Sequence, residues 1–162
     1  MTNLRAERIN ISKALSSDAY KAMNAMEQYL QRSSLEDSLL DLVKIRASIL
    51  NGCAYCIDMH TKDARARGER EQRVYGLVAW KETPYYNERE RAALLWTDAV
   101  THIAQTHVPD EVYEQVSAQF SEQELIDLTL AVIAINSWNR LAISMRVVPG
   151  TYQPSQTVAS AR

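Results

Sequence analysis

The sequence predicts an all-α domain, and three observations carry that expectation. Only 4 Gly and 4 Pro occur among 162 residues, too few for the frequent turns of a β-sandwich or barrel. The hydrophobic fraction of 46% is too high for a disordered chain. Apolar residues recur at helical steps from about residue 14 to residue 146, with no internal repeat or low-complexity linker between them. The length suits one compact domain, expected over residues 1–150, with a small, polar tail over 151–162 whose end, from Ser155 to Arg162, is expected to be mobile.

The elements follow in order. After Ser16-Ser17-Asp18, Tyr20, Met23, Met26 and Leu30 mark one face of a first long helix. Ser33 and Glu36 have capping-box spacing ahead of a helix with Leu35, Leu39, Leu42, Ile45 and Ile49 on one stripe. Asn51-Gly52 should end it, since both residues tolerate left-handed backbone angles. A third helix starts at or beside Cys53 and runs to about Gly68, with Lys62, Asp63, Arg65 and Arg67 expected on its solvated face.

A shorter helix over Glu69–Trp80 and a loop containing Tyr85-Tyr86 come next, then an Asn87/Glu90 cap before a helix carrying Ala92, Trp96, Ala99 and Ile103. Pro109 suits the first turn of a helix through Phe120. Ser121 and Glu124 cap the most apolar segment, Leu125 to Met145, which is expected to be central to the core or to lie in a subunit interface. Asn136, Trp138 and Asn139 interrupt it, and buried amides bonding backbone beside a core indole are the simplest reading.

Charge and leader signals narrow the function. The 18 basic and 20 acidic residues are interspersed and give a net charge of −2, a poor footprint for nucleic acid or an anionic membrane. Residues 1–8 carry no apolar signal-peptide core, and the apolar stretch from Leu128 to Ile135 is too short to span a bilayer, so a cytoplasmic setting is expected.

The chemistry concentrates in the run from Asn51 to His60, which holds both cysteines of the chain, Cys53 and Cys56. At a helix start, unpaired backbone N–H groups and the positive dipole end favour thiolate over thiol. His60 lies four residues after Cys56, one helical turn away, within reach for proton exchange. Cys53, three residues before Cys56 on the same face, is close enough to attack an oxidised Cys56 sulfur and close a disulfide. Asp41 sits on the face of the preceding helix shared by Ile45, Ser48 and Gly52, and is the candidate carboxylate for a proton relay; Glu36 is further round the helix.

Other readings fit less well. The cysteines could be small core hydrophobes, and with His102 and His107 they make up a Cys₂His₂ set. About 45 residues separate the two pairs, far from the ~12 to 15 of a compact zinc finger. A c-type haem needs His directly after the second cysteine, where Ile57 stands, and a thioredoxin-type site needs strands.

The run Leu42-Val43-Lys44-Ile45-Arg46-Ala47-Ser48, the segment from Asn51 to His60, and the later Asn136-Ser137-Trp138-Asn139-Arg140-Leu141 resemble the alkylhydroperoxidase D-like branch of the carboxymuconolactone decarboxylase superfamily. The resemblance covers roughly residues 15 to 150. It implies an all-α fold, a homo-oligomer, and thiol-dependent reduction of hydroperoxides with an external dithiol and no bound cofactor. It also implies that Cys56 passes through a sulfenic acid, Cys53 is proton donor and then disulfide partner, and His60 relays protons. The family's relay Glu corresponds to Asp41, one methylene shorter. Two further functions remain open: lactone decarboxylation, as in the other branch, and a non-catalytic redox-sensing oligomer.

Overall fold

A computed structural model describes residues 6–155; the expectations placed on residues 1–5 and on tail residues 156–162 lie outside it. The chain folds as α1 (Ile11–Ala14), α2 (Ser17–Leu30), α3 (Asp37–Asn51), α4 (Ala54–Ala66), α5 (Glu71–Gly76), a 3₁₀ segment (Leu77–Glu82), α6 (Glu88–Thr101), α7 (Ile103–Thr106), α8 (Asp110–Ser117) and α9 (Glu122–Met145). There is no β-strand among the described residues. The fold class is all-α, as expected.

Two of the three cap pairings form, and the helix start at Ser16-Ser17-Asp18 is capped as well. Ser16 Oγ accepts from the Ala19 N–H, and Asn87/Glu90 and Ser121/Glu124 close full capping boxes. The Ser33 cap does not form. Its hydroxyl instead donates to the Leu30 carbonyl at 2.7 Å and closes α2, while α3 begins four residues later at Asp37. The Glu36 carboxylate is drawn away to Arg89 at 3.0 Å.

Other boundaries also move. Pro109 precedes α8 rather than entering it, and α8 stops at Ser117. Ile103 falls beyond a break at His102 and is exposed. The expected helix over Glu69–Trp80 divides into α5 and the 3₁₀ segment, where Ala79 has non-helical angles.

α3 is the central helix, packed against α4, α6 and α9. Each of its sides enters a different apolar cluster. Leu39, Leu40 and Val43 join Leu128, Val132 and Trp96; Leu42 and Ile45 join Leu77, Trp80 and Leu94; Ala47 joins Cys53, Cys56, Ile135 and Ala142. The single stripe read from the sequence therefore understates its burial.

α9 packs on α2, α3 and α6 but leaves Ile126, Ile133 and Ile143 exposed. Its 24 residues have the length and composition of a membrane span, which the shorter stretch Leu128–Ile135 does not suggest. Within the fold, however, it carries buried Asp127, Asn136 and Asn139, all hydrogen-bonded to neighbouring helices.

The α3–α4 junction determines where the thiols stand. Gly52 adopts φ 68° and ψ 31°, its N–H donates to the Ile49 carbonyl, and the Cys53 N–H donates to the Ser48 carbonyl, the paired bonds of a Schellman turn. A Cβ at Gly52 would meet nothing within 4 Å, so substitution acts through the backbone angle alone. Gly52→Ala should lower stability by about 1–2 kcal/mol in denaturant unfolding, the strain of a left-handed alanine.

Candidate active site

Cys53 is the N-cap of α4 (φ −82°, ψ 92°), and Cys56 is the third helical residue. Both side chains are buried, and as free thiols their sulfurs lie 2.6 Å apart. Each sulfur therefore feels the charge state of the other. The Cys56 thiol contact lowers Cys53 to about 7 against the cost of burial, helped by the Cys56 and Tyr55 N–H groups and by Asn139. Cys56 is pushed above the usual thiol range by the same contact and by burial. The sequence reading has Cys56 attack as the thiolate; in the resting site the contact between the thiols lowers Cys53 and raises Cys56.

Cys56 nevertheless is the sulfur that meets the cavity. A pocket of about 480 Å³ is lined by Cys56, His60, Met59 and Tyr55 of α4, by Tyr20, Asn24 and Glu27 of α2, by Trp138, Leu141 and Ala142 of α9, and by Tyr152. Cys53 is not part of that lining. Trp138 is a cavity wall, its ring 6.4 Å from that of Tyr20, and not the core filler expected.

His60 faces the same cavity and is only 8% exposed. Its ring makes no hydrogen bond to another described residue. Burial, with the charges of Lys44 and Arg67 nearby, lowers its pKa to about 3, so the imidazole is neutral at physiological pH. It can accept a hydrogen bond or a transient proton but does not stand charged.

Asp41 is not aimed at the thiols. α3 and α4 run antiparallel from Gly52, so Asp41, ten residues before Asn51 and about 15 Å along the axis, lies opposite the far end of α4. There Arg67 holds it in a two-pronged ion pair, with Nε 2.8 Å from Oδ2 and a second contact from Nη2 to Oδ1. Burial raises the Asp41 carboxyl and Arg67 pulls it back down. The carboxylate that does line the cavity is Glu27, which accepts from Lys44 Nζ at 2.7 Å.

The supposed solvated face of α4 is largely engaged as well. Lys62 binds Asp58 at 2.9 Å and the Tyr152 carbonyl at 3.0 Å; buried Asp63 accepts from the Tyr152 hydroxyl at 2.8 Å; the Gly150 N–H donates to Asp58 at 3.0 Å. The segment around 150–152 is thereby strapped across α4, and the first residues assigned to the tail form part of the cavity wall. Burial and the bond to Asp63 push the Tyr152 hydroxyl up to about 12.

Behind the thiols, Asn51 Nδ2 donates to Asn136 Oδ1 at 3.0 Å and to Asn139 Oδ1 at 2.9 Å, and Asn139 Nδ2 donates to Ser48 Oγ at 3.1 Å. These amides bond other side chains, where backbone partners were expected; Asn136 also donates to the Val132 carbonyl. Glu27, Tyr152 and Lys44 had no distinguishing local pattern. For Asn139 a signal existed: polar residues interrupting the most apolar helix. Among the described residues, no group of three or more His, Cys, Asp and Glu side chains is gathered as metal ligands would be.

Helix-capping dithiol, neighbouring histidine and all-α fold define an alkylhydroperoxidase D-like protein. Residues 17–99 match the carboxymuconolactone decarboxylase family, and the chain belongs to it. It is 47% identical over 128 residues to YdfG of Bacillus subtilis, an uncharacterized protein, across 79% of this chain and 87% of YdfG. A crystal structure from Agrobacterium tumefaciens superposes with a TM-score of 0.86 at 47% identity, covering 91% of this chain and 100% of that one. That protein's function is unknown, and a role in antioxidant defence as an AhpD has been suggested for it. The debrominase Bmp8 shares the fold at a TM-score of 0.72 with 20% identity, covering 83% of this chain and 72% of its own.

The buried neutral His60 makes stability depend on pH. Unfolded, it binds a proton below about 6.5; folded, only near about 3. Between these values the unfolded state holds the extra proton, so stability is complete above 6.5 and falls with pH by about 1.4 kcal/mol per unit. Denaturant melts from pH 7 to 4.5 should show this slope as the difference between wild type and His60→Gln.

Proposed function

We infer that the protein is a thiol-dependent peroxidase-type oxidoreductase that reduces small organic hydroperoxides. One observation carries the reading: Cys56 opens onto a largely apolar-walled cavity beside a buried neutral His60, with the Cys53 sulfur 2.6 Å behind it. Family membership and the suggested antioxidant role of the Agrobacterium relative support it. A cytoplasmic setting, where thiols stay reduced, suits such a cycle.

The mechanism follows from the contact between the two sulfurs. When a hydroperoxide enters, the proton crosses from Cys56 to Cys53, and the Cys56 thiolate attacks the terminal peroxide oxygen. An S–O bond forms, the O–O bond breaks, and the departing alkoxide takes up a proton to leave as alcohol. Neutral His60 accepts the hydrogen bond of the peroxide O–H and so orients it. Cys53 then attacks the Cys56 sulfenic acid; the S–S bond forms, hydroxide leaves, and the Cys53 proton converts it to water. An external dithiol or thiol protein returns both cysteines to thiols, and no bound cofactor enters the cycle.

The test is thiol counting after one equivalent of cumene hydroperoxide. Wild type should lose two thiols and gain an intramolecular disulfide. Cys56→Ser should slow peroxide consumption roughly 100-fold or more, and Cys53→Ser should stop at a single sulfenic acid. Turnover retained in the double Ser variant would instead favour lactone-type chemistry, and a disulfide without turnover under excess dithiol would favour a sensor.

Self-assembly is part of the same reading, carried by the exposed Ile126, Ile133 and Ile143 on α9. Sedimentation at micromolar concentration should show a species heavier than the 18.4 kDa chain, and Ile133→Glu should shift it toward that mass.

A further inference from the structure

We propose that Glu27, paired with Lys44, supplies the proton to the departing alkoxide in the thiol cavity, the acid–base work that sequence spacing assigns to Asp41. The proposal rests on the peroxidase reading and names a residue on a different helix.

Two placements carry it. Glu27 lines the cavity that holds Cys56 and His60, whereas Asp41 lines a separate cleft with Asp37, Ala64, Arg67 and Glu69. Both Asp41 oxygens are taken by Arg67. Glu27, by contrast, receives its one hydrogen bond through Oε2, from Lys44 Nζ, which leaves the other carboxylate oxygen for the cavity. Both side chains of the Glu27–Lys44 pair are 17% exposed, dry enough to couple to the site yet wet enough to exchange protons with solvent.

The remaining groups do not meet the need. Cleavage of the O–O bond places a negative charge on the alkoxide oxygen inside the cavity, and a proton must arrive there. His60, lowered to about 3, is neutral, and its one N–H is a far weaker acid than an imidazolium. Tyr55 and Tyr152 are both raised above the ordinary phenol range, so they are poor acids. The proton on Cys53 lies behind Cys56 and is consumed in the second step.

Lys44, on α3, holds a transferable proton against Glu27. The Lys44 proton passes along the 2.7 Å bond to the Glu27 carboxylate, and the carboxylic acid so formed gives its proton to the alkoxide, which leaves Glu27 a carboxylate again and Lys44 a neutral amine. Water returns a proton to Lys44. Facing this pair are Cys56, His60 and Tyr55 from α4 and Tyr152 from the C-terminal strap; α9, packed on α2, brings Asp127, which is bound by Tyr29.

The experiment compares two reactions of the same sulfur. Iodoacetamide alkylation expels iodide, which needs no proton, whereas hydroperoxide reduction expels an alkoxide, which does. Full-length wild type, Glu27→Gln, Glu27→Asp and Asp41→Asn are each followed with iodoacetamide and with cumene hydroperoxide from pH 5.5 to 8.5.

In Glu27→Gln, peroxide reduction should fall roughly 10- to 100-fold. Alkylation should persist, with its midpoint lowered by about half a unit to one unit as Lys44 loses its counter-charge. A midpoint displaced from that of a free thiol also reports an intact site. Glu27→Asp should recover part of the peroxide rate, and Asp41→Asn should lose less than Glu27→Gln. Peroxide reduction that is unchanged in Glu27→Gln, or that falls only in step with alkylation, overturns the assignment of Glu27 and leaves the peroxidase reading standing. A wild-type protein whose alkylated thiols titrate normally but which leaves hydroperoxide untouched overturns both.

Discussion

The left-handed turn at Gly52 is the constraint on which the site depends. It stops α3, reverses the chain, and delivers Cys53 to the N-cap of α4 within a single residue. A longer loop would place the cysteines further from both the dipole of α4 and the last turn of α3. With no loop, the three-residue spacing inside the first turn brings the two buried sulfurs together. The closeness of the sulfurs thus arises from backbone geometry before any other side chain contributes.

The antiparallel hairpin that starts at Gly52 also arranges the charges. Asp41 and Lys44 stand three residues apart on α3, a spacing that suits an ion pair with each other. Each instead takes a partner from another helix: Arg67 at the end of α4 and Glu27 on α2. The two pairs flank the region of His60 and tie α2, α3 and α4 around it. Lys44 and Arg67 add their positive charge to the effect of burial, and both act to keep the imidazole neutral. Held neutral, the ring adds no positive charge to the cavity wall.

Local chemistry was legible in the sequence wherever one residue acts on its near neighbours. The caps at Ser16, Asn87 and Ser121, the break at Gly52, the thiol spacing and the His60 turn all follow from contacts within four residues. Ser33 shows the limit of that logic: the same hydroxyl that could open α3 closes α2, because the Leu30 carbonyl is equally near in sequence and already fixed by the preceding helix. Glu27, Tyr152 and the Asp41–Arg67 pair depend on which helices adjoin, and no spacing rule encodes that. Asp41 has the right position in sequence for a relay, yet the direction of the hairpin carries it away from the sulfurs.

The remaining polar groups of the core explain why the thiol cluster keeps its place. Apolar contacts between α3 and α9 are non-directional, and Ala47, Ile135 and Ala142 could pack with a small slide of one helix along the other. Such a slide would move the sulfurs relative to Trp138 and the cavity mouth. The bonds from Asn51 to Asn136 and Asn139, and from Asn139 to Ser48, favour one register, because a displacement would leave the buried Asn139 amide without its partners on α3. Asn139 is fully buried and lowers the pKa of both thiols. The amide that fixes the helices therefore also contributes to the electrostatics of the sulfur pair, behind the thiol contact and burial.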